Sequence, residues 1–357
     1  MFIIGLNHKT APIEIREKFY LNPLQQDLLL SELKNQPGVA EAFVLSTCNR
    51  IEVYIKRVDR SCEIDFIIPL ISKIKKTAFD FDFRKYLYVY EDNQALDHLM
   101  RVTTGIDSLV LGEKQILGQV KTAVDKARSA GMMSKYFNIL TNIVIRAGKK
   151  AQNETDISCG GSSISWAAIN MAEEQLETLK EKSILVIGAG KMGELALAQI
   201  HNKGADKIYL MNRTGEKADA LAEKFSGIPV SFMDIKDTLI EVDVCICSVG
   251  APHYILDKSM VEAIMSKRGN RKLLLIDISM PRNIDPLAAS VKDVLLFSID
   301  DLDKVVGENM RRRQSAIAQV ESIITQKVAE FHDKWKKIEN CSQTDYFEVS
   351  EFEKEMI

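Results

Sequence analysis

Ser183-Ile184-Leu185-Val186-Ile187-Gly188-Ala189-Gly190-Lys191-Met192-Gly193 decides the architecture of the second half of this chain. An apolar run leads straight into a GxGxxG turn, and residues 194–201 continue with helical spacing. The glycine pattern alone is weak. Placed after a strand and before a helix, it is the fingerprint of a dinucleotide-binding turn. Gly188 permits the tight turn, Gly190 lets a pyrophosphate approach the backbone, and Gly193 lets helix and strand pack closely. Ala189, Lys191 and Met192 complete the candidate cradle, with free N–H groups at the helix start for phosphate. The next strand, 208–211, ends in Asn212-Arg213-Thr214 and carries no acid for a ribose 2′-hydroxyl. Arg213 suits a 2′-phosphate and Thr214 can hydrogen-bond to it, so the expected cofactor is NADPH.

Working outward, apolar strands are expected at 184–187, 208–211, 244–247, 273–278 and 294–298, with helices between most of them. Near-continuous apolar strands alternating with helices predict a parallel sheet buried on both faces, a Rossmann-type domain. From 299 to about 338 one amphipathic pattern runs through Leu302, Val305, Val306, Met310, Ile317, Val320, Ile324, Val328, Phe331 and Trp335. About forty helical residues span roughly 60 Å, the length of a connector between domains or subunits.

The front of the chain reads differently. Residues 2–6, 42–45, 52–55 and 86–90 read as strands, and 23–34 and 64–74 as helices. For the first helix the expected apolar face is Leu24, Leu28, Leu29 and Leu33. The order β-α-β-β-α-β is ferredoxin-like. Residues 93–153 look helical, broken at Gly105, Gly112 and Gly131, and a polar patch at 153–158 followed by Gly160-Gly161 marks a boundary. Ser162 or Ser163 can cap the helix that follows, expected to run through Glu177. The expected division is 1–156 as a catalytic, substrate-binding domain, 157–300 as the nucleotide domain, and 301–357 as a long helix with a shortened C-terminal region. The fold class is α/β multidomain.

The chain has 357 residues, of which 46% are hydrophobic and 27% charged, with a net charge of −3. That is the balance of an ordinary globular protein, and bulk charge makes no case for general nucleic-acid or membrane binding. Residues 1–154 hold 22 Lys and Arg against 18 Asp and Glu, and the remainder 25 against 32. A mildly basic front half permits a polyanionic partner. No apolar run is long enough to span a membrane, and the start has no basic leader. Six cysteines without a CxxC pair predict neither a disulfide framework nor a metal site, and a reducing, cytoplasmic setting.

Cys48 stands apart within Ser46-Thr47-Cys48-Asn49-Arg50, between two strands, where a turn can expose a thiol and Arg50 can help hold a thiolate. Cys62, Cys159, Cys245, Cys247 and Cys341 read as structural. A thiol nucleophile beside NADPH defines a chemistry: a thioester accepts hydride where a carboxylic acid cannot.

Several further motifs join these. Gly5-Leu6-Asn7-His8-Lys9-Thr10-Ala11-Pro12 is followed by Arg16-Glu17-Lys18, and Gly105 to Glu113 by Gln115 to Val120; Asp277-Ile278-Ser279-Met280-Pro281-Arg282 comes later. Over about residues 1–310 the chain resembles the glutamyl-tRNA reductase family. The resemblance implies that Cys48 attacks the ester of glutamyl-tRNA, releasing tRNA, and that NADPH reduces the enzyme thioester to glutamate-1-semialdehyde, the opening of the five-carbon route to tetrapyrroles. It implies His98 as a catalytic histidine. It also implies Arg50 as the clasp of the substrate carboxylate, Thr47 and Asn49 as its neighbours, and Ser108, Glu113, Gln115 and Gln119 as the second substrate segment, to which Lys114 is expected to add a cation for tRNA phosphate or substrate carboxylate. Glu113 would meet the substrate ammonium.

The implied partners are a second copy of the chain through the long helix and glutamate-1-semialdehyde aminomutase. Two positions depart from the family. Lys114 stands where proline is usual, which is expected to loosen that loop. Residues 339–357 stand where a helical dimerisation domain usually continues. Cys48 and the glycine loop lie far apart in sequence, so the domains are expected to close on one another. The alternatives are a non-catalytic paralogue that binds tRNA or NADPH, and an oxidoreductase of the shikimate-dehydrogenase type, which leaves the Cys48 motif unexplained.

Overall fold

The computed structural model describes residues 1–59, 66–77, 82–158 and 163–354, with side chains left aside at 303–314 and 341–354. Two sheets carry the described chain. The first contains β1 (Phe2–Asn7), β2 (Val39–Ser46), β3 (Arg50–Arg57) and β4 (Tyr88–Glu91), in the order β2-β3-β1-β4 and antiparallel throughout. That is the ferredoxin-like order expected. β1 is buried along its whole length, so its run is continuously apolar rather than alternating.

Three helices belong to this sheet's connections: α1 (Ile13–Phe19), α2 (Pro23–Lys34) and α3 (Ile67–Lys75). α2 starts with a capping box in which Asn22 and Gln25 exchange side-chain bonds with backbone N–H groups. Its buried face is Leu29, Leu30 and Leu33; Leu24 and Leu28, expected to be in the core, are exposed. The amphipathic count there was satisfied equally well by either neighbouring face. The expected start of α3 at Ile64 lies outside the described residues. α1 escaped the periodicity reading because seven residues carry too short a pattern.

Helices α4 (Asp92–Thr104), α5 (Gln115–Ser129) and α6 (Lys135–Glu154) follow, broken where expected: Gly105, Gly112 and Gly131 have φ of +82°, +75° and +70°. α7 (Ile164–Leu176) starts at Ser163, whose hydroxyl accepts from the Trp166 N–H, and ends one residue before the expected Glu177. Ser162 lies outside the described residues.

The second sheet is six-stranded and parallel. It contains β5 (Ser183–Ile187), β6 (Lys207–Met211), β7 (Ile228–Val230), β8 (Val244–Cys247), β9 (Leu273–Asp277) and β10 (Val294–Ser298), in the order β10-β9-β8-β5-β6-β7. Helices α8 (Lys191–Asn202), α9 (Gly215–Phe225), α10 (Ile235–Glu241) and α11 (Lys258–Lys267) flank it. Strand order reverses between β5 and β8, and ligands of such sheets bind in the crevice at that point. β7 was missed because Pro229 interrupts it. Its place at the sheet edge is where a strand tolerates proline. Cys245 and Cys247 are fully buried in β8. Cys62, Cys159 and the Cys341 side chain lie outside the described residues.

The last helix, α12 (Asp303–Lys354), runs well past the expected end near Ile338. Its apolar stripe lies on the first half of the chain. Ala316, Val320, Ile323, Ile324 and Phe331 are buried in the first core, against α4 and α6. Phe331 and Trp335 meet Tyr136 edge-on at 5.4 and 4.7 Å, and Arg101 pairs with Glu321 at 2.8 Å. Over this stretch the stripe braces the molecule and is not free for a second copy. The run Arg311-Arg312-Arg313 lies among the side chains left aside. Among the described residues no helix is long and apolar enough to cross a membrane.

Removing Phe331 leaves a cavity at this contact. Phe331→Ala is expected to lower stability by about 3–5 kcal/mol, read from the midpoint of urea unfolding; an unchanged midpoint would show that α12 does not brace the first core.

Candidate functional site

The turn between β2 and β3 is built by Thr47. Its hydroxyl oxygen accepts from the backbone N–H of Asn49 (3.2 Å) and of Arg50 (3.1 Å), and its own N–H donates to the Arg50 carbonyl (2.8 Å). A threonine folding the chain back on itself in this way turns Cys48 out of both strands. The thiol is half-buried and packs against the cluster holding Ile13, Leu109, Ile278 and Met280. Burial pushes it up to about 12, and the facing Glu113 adds to the effect; Arg16 and Arg50 pull the other way and are outweighed. The expectation that Arg50 holds a thiolate in the resting protein is therefore corrected: a desolvated thiol stays protonated.

Arg50 serves a different set of groups. Arg50, Glu52 and Tyr54 alternate along β3, so all three point to one face of the sheet. Arg50 Nη1 donates to Glu52 Oε1 (2.8 Å), and Nη2 donates to Asp107 Oδ2 (3.0 Å) and to the Asp107 carbonyl. Glu52 is fully buried and also takes hydrogen bonds from Tyr54 and Tyr88, with His98 Nε2 2.8 Å from its Oε1. Burial alone would raise the Glu52 carboxyl; Arg50 and His98 hold it well below the ordinary carboxylate range. The His98 ring packs against both Tyr88 and Tyr90, with centroids at 5.3 and 4.8 Å. Lys9 closes the chain by pairing with Asp107. Glu52 and Asp107 were missed by the sequence reading. A charged residue inside an apolar central strand was the signal that Glu52 offered.

The segment between α4 and α5 brings the second set of candidates over this turn. Gly112 N–H donates to the Gly105 carbonyl (2.9 Å), and a side chain at Gly112 would place Cβ 1.9 Å from the Ile157 carbonyl oxygen. That close approach fixes Glu113, whose buried carboxyl is pushed up to about 7 by desolvation, Arg50 opposing. Lys114 is exposed. Its φ of −67° is the angle a proline would impose, and its carbonyl accepts from Gln152 Nε2 (3.2 Å). Three candidates carry buried polar atoms without a partner: Asn49 Oδ1, Ser108 Oγ and Gln115 Nε2. Gln115 and Gln119 line a cavity of about 720 Å³ together with Ser46, Lys114, Lys126 and Lys191.

The glycine loop sits at the switch point of the second sheet. Gly188 has φ +112°, and a Cβ there would meet the Ser248 carbonyl oxygen at 2.4 Å. A Cβ on Gly193 would meet the Gly188 carbonyl oxygen at 2.1 Å, whereas at Gly190 it would meet nothing. Gly190 therefore faces open space, as a backbone that receives a ligand must. Asn212 ties the two candidate loops together: its Oδ1 accepts from Ala189 N–H (3.2 Å) and its Nδ2 donates to the Thr214 carbonyl (2.9 Å).

A cavity of about 430 Å³ opens between them, lined by Gly190, Asn212, Arg213, Thr214, Lys217 and His253. Lys217, a second cation beside Arg213, was missed; its place one turn into α9 was legible. Lys191 pairs with Glu194 (3.2 Å), and Met192 packs into the core with its carbonyl bound by Ser165. Neither of these side chains faces the 430 Å³ cavity. The start of α8 faces Ser46 and Gln119 across the larger cavity.

A nucleotide loop at the switch point of a doubly wound sheet, beside a cysteine turn on a second sheet, defines an oxidoreductase. Residues 4–155 match the model of the glutamyl-tRNAGlu reductase N-terminal domain, and residues 170–305 match that of shikimate/quinate 5-dehydrogenase. Glutamyl-tRNA reductase of Thermodesulfovibrio yellowstonii is 37% identical over 347 residues, 95% of this chain and 81% of the relative. That of Bacillus pumilus is 37% identical over 93% of this chain and 72% of the relative. The solved glutamyl-tRNA reductase of Methanopyrus kandleri is 32% identical with a TM-score of 0.52, over 94% of this chain and 80% of that one. The chain belongs to the glutamyl-tRNA reductase family.

Glu113 makes stability depend on pH. Its folded carboxyl keeps a proton up to about pH 7, whereas the unfolded chain releases it near the ordinary 4.5. Between those values the native state binds more protons, so stability falls as pH rises. Glu113→Gln is expected to remove about 2–3 kcal/mol of that fall between pH 4.5 and 8, measured by urea unfolding at both pH values. A wild type equally stable at the two ends would contradict it.

Proposed function

We propose that this chain reduces glutamyl-tRNA to glutamate-1-semialdehyde with NADPH, releasing tRNA, through a thioester on Cys48. The observation that carries the reading is the set of unpartnered buried atoms on Asn49, Ser108 and Gln115 around the cysteine turn. Three desolvated polar atoms without partners cost stability unless a polar ligand satisfies them.

The sulfur of Cys48 bonds to the ester carbonyl carbon, the C–O bond to the terminal ribose breaks, and tRNA leaves with the proton the thiol gave up. Glu113 would take the substrate ammonium; a cation beside it would bring its raised carboxyl to the ionised form. Arg50 would face the substrate carboxylate. Both of its terminal nitrogens are engaged, and Asp107, the more exposed of the two partners, is the one able to give way. His98 is a positioning residue in this reading, acting on Arg50 through Glu52. Thr47 shapes the turn, and Gln119 and Lys114 border the larger cavity.

The nucleotide cavity fits a dinucleotide phosphate: its glycines leave room for backbone contact, and Arg213 and Lys217 supply charge for a 2′-phosphate. NADPH bound there would supply the hydride that turns the thioester into the aldehyde and frees Cys48. The division at about 156 and 300 then separates acylation from hydride supply.

Mixing radiolabelled glutamyl-tRNA with wild type and with Cys48→Ser tests this. Wild type should form aldehyde only with NADPH and hold label on Cys48 without it, and the serine variant should do neither. Wild type that binds both ligands yet yields no adduct would leave a non-catalytic binding protein. Arg213→Glu is expected to weaken NADPH binding about ten- to a hundredfold while leaving NADH binding nearly unchanged, read by nicotinamide fluorescence titration.

A further inference from the structure

Two motifs, Arg16-Glu17-Lys18 and 277–282, have no part in the chemistry above, yet the structure brings them together. α1 belongs by sequence to the first sheet, and residues that follow strands of the second sheet hold it at both ends. Arg282, just after β9, donates its backbone N–H to Glu17 Oε1 (2.6 Å), its Nε to the same oxygen (3.0 Å) and its Nη2 to Glu17 Oε2 (3.0 Å). Its Nη1 donates to Glu14 Oε1 (2.9 Å). Asp300, just after β10, accepts from the Ile13 N–H (3.1 Å) and from the buried guanidinium of Arg16.

α1 has no capping side chain of its own, so Asp300 fills that place from the other side of the interface. A helix of seven residues does not persist by itself. Ile13 at one end is buried in the second sheet's core and Phe19 at the other in the first sheet's. Cys48 packs against the same cluster as Ile13. Displacing α1 therefore moves the boundary on which the thiol rests.

We infer that the Glu14/Glu17–Arg282 and Arg16–Asp300 pairs form a latch that holds Cys48 against the nucleotide-binding half, governing reduction of the acylated enzyme and not its acylation. Acylation draws on groups of residues 47–119, with Arg16 acting on the thiol through a charge that neither variant below removes, whereas reduction needs both halves in register. The inference rests on the proposed reaction for its division of steps, though the latch itself is a matter of geometry. The contributions are unequal. Glu14 is 58% exposed and its pair is a weak surface contact, whereas the forked Arg282–Glu17 and buried Arg16–Asp300 pairs are charge-assisted hydrogen bonds largely shielded from solvent. An opened latch would leave an acylated Cys48 facing water, so its acyl group would leave as free glutamate.

Arg282→Gln and Asp300→Asn, one at each end, test this with three readouts. The initial rate at which label appears on Cys48 without NADPH should stay within about threefold of wild type. Single-turnover aldehyde formation should fall at least about tenfold, with free glutamate rising to match. The radius of gyration in solution should increase, which tests the latch even if the proposed reaction is wrong. The charge exchange Glu17→Arg with Arg282→Glu should recover much of the aldehyde lost in either single variant. Equal loss of acylation and reduction would show a merely structural role and overturn the inference. So would unchanged reduction with an unchanged radius. A wild type that never acylates would sink the proposed reaction and the step assignment together, while the radius still decides the latch.

Discussion

A guanidinium sealed inside a sheet is the constraint around which the first half of this molecule is arranged. Arg50 is 1% exposed and Glu52 fully buried, and each ion taken from water carries a penalty of several kcal/mol. Their mutual attraction repays this only when the remaining donors and acceptors are also satisfied. Tyr54, Tyr88 and His98 complete Glu52, and Asp107 completes Arg50, itself neutralised by Lys9 at the surface. β1, β3, β4, α4 and the loop after it must all hold position for that network to close. Cys48 lies two residues before Arg50 in the same tight turn, so the network that fixes the guanidinium also fixes the thiol.

The second half obeys a backbone constraint instead. Gly188 and Gly193 are required because other chain atoms already fill the space a Cβ would take, whereas Gly190 looks out on nothing. The same three-glycine pattern thus combines two packing demands with one opening. Asn212 converts that opening into a defined cavity by tying the end of β6 to the glycine loop. The proposed chemistry needs the thiol and the nucleotide end to be neighbours, and neither sheet secures this alone. α1 spans the gap with one end in each core, and α12 braces the first core from outside.

The resting thiol is protonated and shielded, its environment dominated by burial and by Glu113.

Much of this was legible in the order of residues. Alternating apolar runs and helical periods identified both sheets, because binary pattern follows the period of each element. The glycine loop was legible because its spacing encodes steric demands that hold in any chain, and Ser163 because helix capping is local. What could not be read were α1, too short to show a period; β7, hidden by Pro229; and the buried face of α2, where two adjacent leucine stripes competed. The charge state of Cys48 was read wrongly, since neighbours in sequence suggested a nearby cation and said nothing about desolvation. The sequence by itself determined the two sheets, the glycine turn and the cysteine turn with most of the helices around them, since these depend on local sterics and periodicity. Only the tertiary structure decided that Arg50 is sealed by Glu52 and Asp107, that the thiol packs half-buried against the second core, and that Arg282 reaches α1. Those outcomes depend on distances between segments up to 268 residues apart, and no local pattern records them.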